Sequence, residues 1–69
     1  MSSDHVYKSI EVTGSSTESI DDAVRAAVAK ASQTVRHLEW LEVAAIRGAV
    51  EEGQVVRFQA TVKLGFRLE

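Results

Sequence analysis

The clearest pattern in the sequence is a strict alternation of apolar and polar residues from Val56 to Leu68, in a segment that begins at Gln54. An alternation of this length predicts a long strand with one face on a core. Glu51-Glu52-Gly53 comes directly before it and is typical of a hairpin turn, so the segment from about 39 to 50 is predicted as the partner strand. The apolar residues at alternate positions of this last strand are Val56, Phe58, Ala60, Val62, Leu64, Phe66 and Leu68.

The first half of the chain predicts a strand followed by a helix. A strand is predicted over about 5–13. One face of it carries Val6, Ile10 and Val12, and the opposite face carries Tyr7. Ser16 is the expected N-cap of a helix over about 17–36, because its hydroxyl can accept from a free first-turn amide. Ser15 with Glu18 also fits the spacing of a capping box. Apolar residues then recur at the spacing of one helical stripe: Ile20, Val24, Ala27, Val28, Ala31, Val35 and Leu38.

These elements predict one α+β domain over residues 1–69 with the order β-α-β-β. A helical crossover followed by a hairpin gives a three-stranded antiparallel sheet of order 1-3-2, with the long helix on one face. Alternation along the second strand predicts that Leu41, Val43 and Ala45 face the helix, and that Trp40, Glu42, Ala44 and Ile46 face away. Simple alternation would direct Arg47 toward the core. Either the strand has passed the end of the helix at this point or a bulge near Gly48 turns the side chain away, and we favour the bulge.

The face opposite the helix carries the candidate binding residues. Trp40 is the only tryptophan, and its large apolar area should cover another subunit, a planar ligand or both. Gln59 offers a donor and an acceptor together, which suits the edge of a flavin or a nucleobase as well as a solvated surface position. Arg47 and Arg67 can bind a phosphate or a ring carbonyl, and Arg67 can equally form an ion pair between subunits.

Size and composition limit the classes of function. A chain of 69 residues without cysteine has a small core and no disulfides, so oligomerisation is the expected source of extra stability. A net charge of −2 argues against a general nucleic-acid binder. Neither a signal peptide nor an apolar stretch of about 20 residues for a membrane span is visible, so a soluble cytoplasmic protein is expected.

Several runs of the sequence together resemble the bacterial dodecins. These runs occur in the same order and at the same spacings as in dodecins, over essentially the whole chain. Each run alone is weak evidence for the family. The runs are Val12-Thr13-Gly14-Ser15-Ser16, Glu39-Trp40-Leu41-Glu42-Val43, Ile46-Arg47-Gly48, Phe58-Gln59 and Val62-Lys63-Leu64-Gly65-Phe66-Arg67-Leu68.

The resemblance implies a hollow homododecamer that stores or buffers flavin. In dodecins, two flavins stack between tryptophans related by a two-fold axis, and Trp40 matches that tryptophan. Gln59 matches the glutamine that bonds the isoalloxazine edge, Arg47 and Arg67 match basic positions near the flavin, and Tyr7 lies in a region that borders it. FMN is the expected ligand, with riboflavin or FAD as alternatives, and coenzyme A is a further ligand of some members.

Three other classes of function remain to be weighed. An enzyme would need a nucleophile beside a base, paired carboxylates or a metal, and neither His5 nor His37 has a recognisable partner in the sequence. No catalysis is therefore expected. The second alternative is an αβ oligomer that assembles through its sheet without binding a flavin. A nucleotide-binding regulatory module is a weaker third alternative, since no run of the sequence resembles a glycine loop that binds phosphate.

Overall fold

A computed structural model describes residues 4–68 and contains the four predicted elements. They are β1 (Tyr7–Ser16), α1 (Ile20–Ala31), β2 (Leu38–Glu51) and β3 (Gln54–Arg67). Residues 1–3 and 69, which the single-domain prediction included, lie outside the described residues. The β-α-β-β order is confirmed, and β2 and β3 begin and end within a residue of the expected bounds.

The sheet has the predicted order β1-β3-β2, with both neighbouring pairs antiparallel. Ile10 of β1 lies opposite Leu64 of β3, and Val12 lies opposite Val62, so their side chains share the face that carries the helix. Tyr7 lies opposite Arg67 on the other face. We call this second face, which α1 does not cover, the outer face.

The helix is shorter than expected at both ends. Its N-cap is Ser19, whose hydroxyl accepts from the amide of Asp22, so the prediction of Ser16 as the N-cap is wrong. Ser16 instead ends β1 and accepts from the amide of Glu18, thereby closing the turn between strand and helix. At the other end, Ser32 is the C-cap, and the expected final turns to residue 36 form a connection rather than a helix.

The core depends on a close approach of the helix to the sheet. Ala23 and Ala27 are buried against Gly14 of β1, where an added Cβ would overlap the carbonyl oxygen of Ala23. Val62 and Leu64 of β3 are the largest fully buried side chains. The small helix residues therefore lie at the centre of the contact, and the larger Val24 and Val28 pack at its flanks.

The helix packs on β1 and β3 and leaves β2 exposed. Leu41 and Val43 do lie on the helix side, opposite Leu64 and Val62, but they remain 44% and 43% exposed. The expectation that the helix covers them is therefore wrong. An apolar strip remains on the helix side of this edge strand.

A bulge in β2 reverses two of the expected side-chain directions. The pairing shifts between Val43 and Ala45, so Ala44 is the extra residue. Ala45 then lies opposite Thr61 on the outer face, and Ile46 lies opposite Ala60 on the helix side, the reverse of both predictions. Simple alternation fails here because a bulge shifts the parity of every later residue in the strand.

The hairpin between β2 and β3 has a two-residue turn. Glu51 pairs with Gln54, and the intervening Glu52 and Gly53 have φ angles of 51° and 78°. Two positive φ angles are typical of a type I′ turn, whose twist matches that of the adjoining strands. The predicted hairpin is confirmed. The turn sets the pairing at this end of the two strands, and the pairing shifts directly after it, between Val50 and Ala49.

Candidate functional site

The outer face is built of cross-strand rows; four of them have one residue from each of β1, β3 and β2, and the row at one end has residues from β1 and β3 alone. The pairings give the following rows in order along β3: Tyr7–Arg67, Ser9–Gly65–Trp40, Glu11–Lys63–Glu42, Thr13–Thr61–Ala45 and Ser15–Gln59–Arg47. All five predicted site residues, Tyr7, Trp40, Arg47, Gln59 and Arg67, therefore lie on this one face. Successive rows are about 7 Å apart, since each spans two residues of the strand.

Trp40 lies over Gly65, its partner on β3. A Cβ built on Gly65 would overlap ring atoms Cε2, Cζ2 and Cδ2 of the indole, so the ring face rests on the bare backbone of β3. The side chain remains 44% exposed. One face of the indole thus packs on the sheet, and the other is available to a planar ligand or a second subunit.

Glu39 connects Tyr7 and Arg67 beside the indole. It is the extra residue of a second bulge in β2, between Leu38 and Trp40. The Tyr7 hydroxyl donates to Glu39 Oε1 at 3.1 Å, and Arg67 Nη1 lies 3.7 Å from Glu39 Oε2. The hydrogen bond to this carboxylate raises the pKa of Tyr7, because it stabilises the protonated phenol.

Gln59 and Arg47 lie opposite each other at the far end of the outer face. The bulge at Ala44 brings Arg47 to this face, so the predicted direction of its side chain is confirmed, although the bulge lies earlier than expected near Gly48. Gln59 and Gly65 are six residues apart on β3, which corresponds to about 20 Å. The structure thus forms two groups, a Trp40 group with Tyr7, Glu39, Gly65 and Arg67, and a Gln59 group with Arg47.

The described part of the chain holds neither a metal-ligand cluster nor a membrane-spanning helix. Within residues 4–68, no three histidine, aspartate or glutamate side chains are grouped so that they could bind a metal ion. The helix in the same range is too short and too polar to cross a bilayer. What the outer face offers is a stacking surface, paired hydrogen-bonding groups and cations.

Comparison with known proteins identifies the family. The dodecin sequence profile matches residues 6–69. The chain belongs to the dodecin family. A curated dodecin from Thermus thermophilus is 47% identical over 64 residues, which cover 93% of each chain.

Solved structures of dodecins have the same fold. Dodecin from Streptomyces coelicolor is 53% identical, with a TM-score of 0.91 over 99% of this chain and 97% of that one. Three variants of the Thermus dodecin are 44% identical, cover 96% of this chain and 97–98% of theirs, and have TM-scores of 0.89. Two of them replace an arginine with alanine, and the third replaces a tryptophan with phenylalanine.

Two residues of the Trp40 group, Glu39 and Gly65, are not among the site residues predicted from the sequence. Gly65 could have been found, because a lone glycine in a strictly alternating strand indicates a close approach of another group. Glu39 could not, because its reach to Tyr7 and Arg67 depends on a bulge that no pattern in the sequence indicates.

Proposed function

We propose that this dodecin binds flavin, with FMN as the expected ligand, and stores it in a quenched form between tryptophans of paired subunits. The observation that carries the proposal is the indole of Trp40, which packs on Gly65 with one face and is exposed on the other. An aromatic pair contributes about 0.5 to 1.5 kcal/mol beyond burial of its area. Close stacking on an electron-rich indole quenches the excited flavin by electron transfer, which suits storage and protection.

The separation of the two groups supports a site shared between subunits. Gln59 and Trp40 of one chain are about 20 Å apart along the sheet, which is too far for both to contact one isoalloxazine ring. Two copies related by a two-fold axis and running in opposite directions would bring the Trp40 group of one chain to the Gln59 group of the other. Each flavin would then stack on one chain's indole and hydrogen-bond with the other chain's carboxamide.

The small core supports assembly into the homododecamer that we propose. The buried core of the described residues consists of four alanines, Val62 and Leu64. Leu41, Val43 and Ile46 form the apolar strip on the helix side, where the last of them is 60% exposed. Burial of this strip against neighbouring copies would add the apolar contacts that a single 69-residue chain lacks.

The spacing of substituted residues in the Thermus variants supports one binding region. In that protein the replaced tryptophan precedes the two replaced arginines by seven and 27 residues. Trp40 precedes Arg47 and Arg67 by the same intervals here. We therefore include both arginines in the site, with Tyr7 at its border, and assign no residue to coenzyme A.

A fluorescence titration with FMN tests the proposal. We expect flavin emission to fall as the parent protein is added. Trp40→Ala should weaken binding about tenfold, or about 1.4 kcal/mol, and restore emission of the residual bound flavin. Gln59→Ala, a matched truncation on the same face, should weaken binding less and keep the quenching, because the ring stays stacked.

The alternative of an oligomer without a flavin ligand predicts a different result. The parent would then leave the FMN emission unchanged at every protein concentration. Sustained turnover of flavin with a nicotinamide donor would instead indicate an enzyme. Either outcome would contradict the storage function.

A further inference from the structure

Glu39 uses both carboxylate oxygens within the Trp40 group. Oε1 accepts from the Tyr7 hydroxyl at 3.1 Å, and Oε2 lies 3.7 Å from Arg67 Nη1. The residue belongs to the edge strand β2, yet it reaches across β3 to a side chain of β1. The guanidinium of Arg67 therefore lies next to an anion of its own chain.

The cations on either side of the indole both face carboxylates. Lys63, one row from Gly65, lies between Glu11 and Glu42 in its cross-strand row. Arg67, one row from Gly65 on the other side, is paired with Glu39. The row of Arg47 is different, because its other members are Ser15 and Gln59 and neither is charged.

This arrangement affects flavins differently according to their charge. A phosphate near the indole would share Arg67 with Glu39 and would be repelled by that carboxylate. A neutral flavin that ends in a ribityl hydroxyl meets no such repulsion. The affinity for the same stacked ring would therefore be lower when its ribityl side chain is phosphorylated than when it is not.

We propose that Glu39 is a specificity-determining residue that weakens the binding of phosphorylated flavins relative to neutral ones by holding the guanidinium of Arg67. The inference rests on the proposed flavin site at Trp40 and adds to it a selection by ligand charge. Arg47, which has no carboxylate in its row, is then the arginine more open to a ligand phosphate.

The test compares the affinities of FMN and riboflavin for the parent and for Glu39→Gln, measured by quenching at low salt. Glutamine keeps the size of the side chain and removes its charge. An exposed ion pair typically contributes 0.2–1 kcal/mol, so we expect the preference for FMN over riboflavin to rise by a factor of about 1.4 to 5. Added salt should reduce the difference, because these groups are partly exposed.

Two controls separate this effect from a general change in charge. Glu42→Gln makes the same charge change on the same face, beside Lys63 instead of Arg67. It should shift the preference less than Glu39→Gln does, because Lys63 keeps Glu11 opposite it when Glu42 is neutral. In an Arg67→Ala background, Glu39→Gln should no longer alter the preference, because the guanidinium that it frees is absent.

Several results would overturn the inference. The preference for FMN over riboflavin could be unchanged in Glu39→Gln, or the affinities for FMN and riboflavin could rise equally. The preference could also shift as much in Glu42→Gln as in Glu39→Gln, or the shift caused by Glu39→Gln could persist in the Arg67→Ala background. In each of these cases the parent still quenches flavin and the proposed function stands. A parent that quenches neither flavin refutes the proposed function and this inference with it.

Discussion

Substitution of Gly65 tests whether the backbone of β3 supports the indole of Trp40. In Gly65→Ala the new methyl group would occupy the space of three ring atoms, Cε2, Cζ2 and Cδ2. The ring would have to tilt or swing away from the sheet. Gly65 is not among the residues with positive φ, so alanine introduces no backbone strain at this position.

In Gly65→Ala the indole would no longer be aligned to stack on the flavin, so FMN should bind more weakly. A stacked aromatic pair contributes about 0.5 to 1.5 kcal/mol beyond area burial, which corresponds to a change in Kd of about two- to thirteenfold. We expect the FMN affinity of Gly65→Ala to fall within this range and its quenching to be less complete. The strand itself should persist, because glycine weakens a strand interior relative to alanine.

The assay combines FMN titration with the near-ultraviolet circular dichroism of the unliganded protein, which reports the surroundings of the single tryptophan. Gly48→Ala is the matched control in the same hairpin. Its new Cβ would lie 3.2 Å from the Arg57 carbonyl oxygen and would not contact Trp40. If Gly65→Ala kept both the parent's affinity and its dichroism, the indole would not rest on β3 as described.

Two further predictions concern the close packing of the helix and the contact at Glu39. Gly14→Ala should lower the free energy of unfolding by about 1–3 kcal/mol, because its Cβ would overlap the Ala23 carbonyl oxygen and displace the helix. A urea midpoint equal to that of the parent, measured at the same protein concentration, would contradict this. The pKa of Tyr7 is raised by its hydrogen bond to Glu39, so it should move down toward its ordinary value in Glu39→Gln. An ultraviolet absorbance titration measures it, and equal values in the two proteins would show that the contact does not form.

Regular alternation made much of the fold predictable. The strict period of β3 places Ala60, Val62 and Leu64 in the core, where the structure has them. Glu52-Gly53 supplies the turn residue that a tight hairpin requires, and this fixes the pairing of β2 with β3. Trp40 could be assigned to the outer face because it lies before the bulge at Ala44.

The bulges limited what could be predicted of the site. Each adds one unpaired residue, and nothing in Glu39 or Ala44 distinguishes them from regular strand residues. As a result, Ala45 and Ile46 were assigned to the wrong faces, and the link from Glu39 to Tyr7 and Arg67 was not foreseen.

The helix ends were uncertain for a different reason. Ser15, Ser16 and Ser19 can all cap a helix, and the choice of Ser19 depends on how β1 extends to Ser16 along β3. At the far end, His37 has a φ of 65°, a conformation that turns the chain into β2 and that few non-glycine residues adopt. The apolar stripe continued through Val35 and Leu38, but Leu38 packs against the core from β2 instead.

Native mass spectrometry of the protein loaded with FMN tests the central claim most directly, because it reports assembly and ligand count together. We expect a homododecamer with one flavin for each chain, since each indole would stack on one ring. We also expect Trp40→Ala to carry less FMN than the parent at the same free FMN concentration, while the oligomer persists. A parent oligomer that carries no FMN, or one that keeps its full complement of FMN without the indole, would contradict the claim.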